Sequence, residues 1–228
     1  MQFQPSTPKL LHSPFKKISA FDLDKTLLRD SCGLRFGVFL ARNKYLSLRD
    51  FTYITGVYIR YCLGLLTIEV LHKEVFNRLF FGRFAPDIYH YVQLFLDQKL
   101  DALLYKPAIE KLKEAEEAGD FVTIVSSAPD FLVEPIARRL GVAEWYATDY
   151  LIDKDQKFSQ IARLMMGEAK AEMMVQLCHR LGCARQDLTA YSDSHHDLPF
   201  LLSAGHAVGV NPNRKLKAIC LRNHWPII

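Results

Sequence analysis

From about residue 105 onward, short apolar runs alternate with segments whose apolar residues recur at helical spacing. No other feature constrains the fold as much. Strand and helix in repeated succession give a parallel sheet with helices on both faces. "FVTIVSS" (121–127), "EWYATDYLI" (144–152), "DLTAYSD" (187–193) and "HAVGVNP" (206–212) read as strands, and "KFSQI" (157–161) as a short β excursion. Between them, Pro107 and Gly119 bracket a helix with Ile109, Leu112 and Ala115 on one face. Val133, Ile136, Ala137 and Leu140 mark a second helix, closed by Gly141, in which Pro135 predicts a late start or a bend. Residues 168–181 place Met173, Met174, Leu177 and Leu181 on one face of a third, with Gly182 as its terminator. The tail, "KLKAICLRNHWPII", reads as a helix and a last short strand.

An earlier apolar run, Ile18–Phe21, supplies the first strand. Residues 31–103 then interrupt the pattern, being aromatic-rich, helical in period and without strand alternation. The division expected is an α/β core of 1–30 and 104–228 with an inserted all-helical subdomain of 31–103. Half the residues are hydrophobic, so a sizeable core is available. "FTYITGVYIRYCLGLLTI" (51–68) is almost long enough to span a bilayer. Arg60 at its centre would cost about 2.5–3.5 kcal/mol there, and three threonines dilute it further. The segment therefore reads as buried helices of the insert, with no transmembrane span, although peripheral membrane contact stays compatible with it. A net charge of +4 suits a phosphorylated small molecule or an anionic lipid surface, but lacks the dense Lys/Arg clustering of a nucleic-acid binder. Five scattered cysteines without a CxxC pair point to a reduced, cytoplasmic protein. Residues 1–17 carry no apolar stretch of signal-peptide length and read as a loose arm.

Ligands of open α/β sheets bind at the carboxyl ends of the strands. Asp22 and Asp24 stand at the end of the first, with Thr26 just beyond, and Ser126 and Ser127 end the second and open a helix. Asp193 ends a later strand, with Asp197 four residues on, and Lys170 lies in the first turn of the helix 168–181. If the four aspartates converge, each like-charge pair at 4 Å repels by about 4 kcal/mol at an effective dielectric of 20. Such a set needs a cation, and hard oxygen donors without His or Cys suit Mg2+. A lysine in a first helical turn opposes the helix dipole unless an anion sits in front of it. The amides and hydroxyls at Ser126 and Ser127 offer a place for phosphate oxygens. His195 and His196, inside the last motif, read as loop residues bordering the site. Arg60, Lys73, Arg78 and Arg83 read as helix-surface charges that could reach the distal end of a substrate.

"FDLDKTLL", "IVSSAPD", "GEAKAEM" and "YSDSHHDLPFL" resemble the four ordered motifs of haloacid dehalogenase (HAD) superfamily phosphatases. The helical insertion after the first motif resembles the cap of their phosphoserine-phosphatase-like branch. The likeness covers residues 18–30 and 105–228. It implies a Rossmann-like HAD core with a helical cap, and a phosphoric monoester hydrolase working through an aspartyl phosphate on a small phosphorylated metabolite. By position, Asp22 would be the nucleophile and Asp24 the general acid–base. Mg2+ would be held by Asp22, the backbone carbonyl of Asp24, and Asp193, with Asp197 orienting that shell. Ser126, Ser127 and Lys170 would hold phosphoryl oxygens. Asp24 favours an alkoxide leaving group, which needs a proton, over a halide, which does not. The apolar cap and the wording "YSDS" also resemble phosphatidylglycerophosphate-type lipid phosphatases, the alternative substrate class. A phosphorylatable switch without turnover is a third reading, which the acid–base group argues against. The pattern is not followed everywhere. Lys25 stands where a glycine is usual, Ser127 replaces a second glycine, and Ser31 replaces the cap glutamate that meets the amine of phosphoserine. Gating would place hinges near 29–33 and 103–106.

Overall fold

The computed structural model describes residues 15–228, so the arm of residues 1–14 lies outside the described part. Strand β1 (Ile18–Phe21) runs into a tight turn, Leu23–Leu27. Four helices follow: α1 (Cys32–Arg42), α2 (Leu48–Cys62), α3 (Ile68–Leu79) and α4 (Ala85–Leu103). The alternating part comprises α5 (Lys106–Glu117), β2 (Phe121–Pro129), α6 (Asp130–Arg139), β3 (Glu144–Ile152), β4 (Phe158–Arg163), α7 (Gly167–Leu181), β5 (Leu188–Ser192), α8 (Leu198–Ser203), β6 (His206–Gly209) and α9 (Arg214–Asn223).

The six strands form one sheet in the order β4-β3-β2-β1-β5-β6, parallel except for β4, which returns antiparallel to β3. The chain leaves β1 toward β2 on one side and later reaches β5 on the other. The carboxyl end of β1 is thus the switch point where such sheets bind ligands. Register brings the ends together: Phe21 pairs with Ile124 of β2 and Tyr191 of β5, and the N–H of Asp22 donates to the Tyr191 carbonyl. Period-two alternation in β1 sends Ile18 and Ala20 into one apolar cluster and Phe21 into the other, where it stacks on the Tyr191 ring at 4.2 Å. The expected last strand is reduced to a single bridge between Ile227 and Gly209. Helix α6 starts at Asp130 and runs through Pro135. Ring closure at Pro135 removes an N–H, while the buried Phe131, Leu132, Val133, Ile136 and Ala137 hold the helix against the sheet.

The helical insert is joined to the sheet more tightly than two hinges would suggest. Its entry and exit segments pair at Leu28 and Leu104, with the Arg29 N–H donating to Leu103 O and the Tyr105 N–H to Leu27 O. One apolar cluster runs from Phe36, Phe39, Phe76, Phe80 and Phe95 of the insert into Phe131, Tyr150 and Phe158 of α6, β3 and β4. The β3–β4 hairpin fastens the insert as well: Gly82 N donates to Phe158 O and Ala85 N to Gln156 O. Helix α2 departs from the buried helix expected for residues 51–68. It stops at Cys62 before Gly64 (φ +73), and its one buried residue is Val57. Leu63 and Leu65, beyond its end, are exposed by 68% and 66%. The apolar surplus that resembled a span is therefore divided between an outer face and an inner wall described below. No helix among the described residues is long and apolar enough to cross a membrane.

One close backbone approach at the surface admits only glycine. A Cβ on Gly205 would lie 2.5 Å from Gln186 Cα and 2.7 Å from Arg185 O. The Gly205 N–H donates to Arg185 O and Leu188 O there, so the segments cannot move apart freely. Gly205→Ala is expected to cost about 1–3 kcal/mol by overpacking, read as a lower denaturant midpoint at unchanged slope.

Candidate active site

The candidate side chains other than Ser126 and Ser127 leave a strand end or a helix start on the same side of the sheet. Asp22 and Asp24 come from the turn after β1, whose tightness has a local cost. Lys25, where a glycine is usual in the motif, sits at φ 59 and ψ 7, the left-handed region that costs a side chain about 1–2 kcal/mol. Asp193 follows β5, Asp197 opens α8, and Lys170 lies in the first turn of α7. Asp22, Asp24, Lys25, Ser127, Lys170, Asp193 and Asp197 all line one cavity of about 530 Å3 between the sheet ends and the helical insert.

Lys170 is the hub. Its side chain is 2% exposed, and its Nζ donates to Asp22 Oδ1 at 2.7 Å and to Asp197 Oδ2 at 2.8 Å. Burial disfavours the ammonium, but the charges of Asp197 and Asp22 outweigh it and hold the pKa of Lys170 above its ordinary value. The unfavourable dipole position noted from sequence is thus offset by two anions. Asp197 Oδ2 also accepts from Ser192 Oγ at 2.8 Å, so Asp197 meets the site through Lys170 and positions its ammonium. Asp22 Oδ2 accepts from Thr26 Oγ1 at 3.3 Å, and Asp24 Oδ1 accepts from the Cys32 N–H at 2.8 Å. The first turn of α1 therefore fixes Asp24.

The remaining charges crowd. Burial pushes the Asp22 carboxyl well above the ordinary range; Lys170 pulls it down, and Asp197 and Asp193 push it further up. Burial likewise raises Asp193 to about 7, with Asp197 adding to the rise. One buried ammonium does not neutralise these carboxylates, so the donor set fits a hard divalent cation, which would stabilise their ionised forms. Among the described residues no three His, Cys, Asp or Glu side chains form a ready cage. Mg2+ does not require one, since one or two carboxylates, completed by waters and substrate oxygens, satisfy its octahedron.

The two serines behave differently from each other. Strand β2 continues to Pro129 and α6 starts only at Asp130, so neither serine opens a helix as the sequence suggested. The cause lies in local bonding: Ser126 Oγ accepts the Ala128 N–H at 3.2 Å, and Thr148 Oγ1 donates to Ser127 O at 2.7 Å, extending the strand. Ser126 is fully buried, and Ser127 lines the cavity. His196 lines it too, whereas the His195 ring meets Asn213 Nδ2 at 3.2 Å.

Sequence reasoning missed the wall contributed by the insert. Phe36, Ile54, Tyr58, Leu71, His72 and Val75 of α1–α3 line the cavity. Their helical spacing was legible, but the same spacing describes a face packed in a core. Arg78 and Arg83 point elsewhere, toward Asp50 at 2.7 and 3.7 Å. Ser31 lines the cavity while its Oγ caps α1 by accepting the Leu34 N–H. Asp30 is paired with Arg35.

Comparisons with known proteins place the chain in a family. A protein of Mycobacterium tuberculosis named a probable phosphatase is 27% identical over 231 residues, covering all of this chain and 80% of its own length. A phosphoserine phosphatase of the same species, SerB1, is 28% identical over 214 residues, covering 91% of this chain and 68% of its own. A crystal structure of a protein of unknown function from Bordetella pertussis superposes with a TM-score of 0.82 at 25% identity, covering 94% of this chain and 98% of that one. The profile of the haloacid dehalogenase-like hydrolases matches residues 20–202, and the chain belongs to that family.

Proposed function

We propose that this protein is a phosphatase that hydrolyses a phosphate monoester of a small metabolite through an aspartyl phosphate, using Mg2+. The observation that carries the reading is the buried Lys170 ammonium held between Asp22 and Asp197 at the switch point of the sheet. Mg2+, held by Asp22, the Asp24 carbonyl and Asp193, would supply positive charge to the phosphoryl oxygens. An Asp22 oxygen attacks phosphorus, and the bond to the leaving oxygen breaks as Asp24 gives it a proton. With Asp24 Oδ1 held by the Cys32 amide, Oδ2 is the oxygen left to carry that proton. Asp24 then takes a proton from water, which attacks the phosphorus of the acyl phosphate. Inorganic phosphate leaves and the Asp22 carboxylate is restored. Lys170 and Ser127, with Ser126 behind it, steady the phosphoryl oxygens, and residues 31–103 act as a cap that excludes bulk water. The five free cysteines suit work in a reducing cytoplasm.

Purified protein with Mg2+ is expected to release phosphate from 4-nitrophenyl phosphate, and EDTA to abolish release. No release in Mg2+ would refute the reading. A stoichiometric acyl phosphate that persists without turnover would point to a switch instead.

A further inference from the structure

The cavity of about 530 Å3 is far larger than a phosphoryl group and its waters require, each water occupying about 30 Å3 in the liquid. Its charged groups are confined to the sheet end, where Asp22, Asp24, Lys25, Lys170, Asp193 and Asp197 stand. Beyond them the wall is Phe36, Ile54, Tyr58, Leu71 and Val75 from α1–α3, closed from the sheet side by Leu132. Among the described residues, no Lys, Arg, Asp or Glu of α1–α4 lines it. Arg78 and Arg83, the cations that could have faced inward, are held on Asp50. The polar groups offered by α2 and α3 are uncharged hydroxyls, such as that of Tyr58, and the imidazole of His72, whose pKa burial lowers.

We propose that this space is a leaving-group pocket for an apolar alcohol, so that the protein prefers phosphate monoesters of extended alkyl or aromatic alcohols to those of charged ones. The inference rests on the phosphatase reading above. An amino-acid leaving group would bring an ammonium and a carboxylate into a wall whose one near charge is Lys25, beside Tyr61; the ammonium would meet no counter-charge there, and each desolvated ion costs several kcal/mol. An alkyl chain instead removes apolar wall and ligand surface from water together. Two sources supply such an ester: a water-soluble alkyl or aryl phosphate, and a single-chain lipid phosphate.

The test compares kcat/KM with Mg2+ for phosphoserine, glycerol 3-phosphate, butyl phosphate and octyl phosphate, whose leaving groups are all aliphatic alkoxides. Lysophosphatidic acid in phosphatidylcholine vesicles forms a separate arm. Octyl phosphate is expected to exceed glycerol 3-phosphate by about tenfold or more, the scale on which an apolar pocket discriminates by methylenes. A preference confined to lysophosphatidic acid supports the pocket and assigns it to lipid; a preference for octyl phosphate below its micellar concentration assigns it to free esters. Equal or better turnover of phosphoserine overturns the proposal while leaving the phosphatase intact. Failure of every ester, 4-nitrophenyl phosphate included, overturns the phosphatase reading and this inference with it. Leu71→Lys is expected to lower the octyl-to-glycerol ratio by about tenfold. Should it fail to fold, Val75→Lys makes the same change one helical turn away. An unchanged ratio in a folded variant overturns the proposal.

Discussion

Asp22→Asn is expected to remove phosphate release almost entirely, by about ten-thousand-fold or more, the scale on which losing a covalent nucleophile acts. The amide keeps the volume of the carboxylate, so the buried position at the end of β1 stays filled. Its nitrogen is a poor nucleophile, and it lacks the negative charge that Lys170 Nζ meets at 2.7 Å. Asp197, at 2.8 Å on the other side, keeps the ammonium paired, so the variant retains a folded site in which the attacking atom alone is missing. Two measurements separate chemistry from structure. Rapid acid quench of the wild-type protein with radiolabelled ester should trap a label that hydroxylamine releases, and Asp22→Asn should trap none. The melting temperature should change little by comparison. Turnover within tenfold of the wild type would show that Asp22 forms no covalent bond to phosphorus, and the mechanism would need another attacking group.

The parts of this site legible in the sequence are those carried by strand ends. Asp22 and Asp193 could be placed because an apolar run of four or five residues leaves little choice about where its polar successor emerges. Helix starts were less legible. Lys170 in isolation reads as a first-turn surface lysine; its burial follows from the packing of α7 on α8 and from Asp197, a residue 27 positions away. Ser126 and Ser127 look like a helix opening, because nothing in "IVSSAPD" announces that Ser126 holds the Ala128 amide and that the strand stays extended to Pro129. The insert was legible in kind and opaque in use. Apolar residues at helical spacing in α2 and α3 are equally consistent with a buried face and with the wall of a cavity, since periodicity records which residues share a side but not what that side meets. The glycine replaced by Lys25 shows the same limit in reverse. The turn is strained because the backbone conformation is required by the placement of Asp22 and Asp24, and the sequence departs from the pattern without altering that requirement.

Lys170→Met is expected to cost the largest stability of any single change in the site, about 3–5 kcal/mol, because it breaks a buried ion pair by removing one partner. The unbranched apolar stem is largely kept and the ammonium is removed, so the loss is chiefly one of charge. Asp22 and Asp197 would then face each other without a cation, and Asp193, already pushed up to about 7, would stand beside them. The sign of the pH dependence follows. Carboxyls whose folded pKa is raised bind protons more readily folded than unfolded, so the stability of the metal-free variant should rise relative to the wild type as pH falls from 8 toward 5. Chemical denaturation in EDTA across that range reads it directly. Adding Asp197→Asn to Lys170→Met should recover part of the loss, since the amide can still accept from Ser192 Oγ while one uncompensated charge is gone. The double-mutant cycle then measures the coupling of the pair. A cost below 1 kcal/mol at neutral pH, with no pH slope and no recovery in the double variant, would mean that the ammonium does not offset buried charge. Lys170 would then be serving the phosphoryl group alone, and the carboxylates would have to be kept neutral by protons.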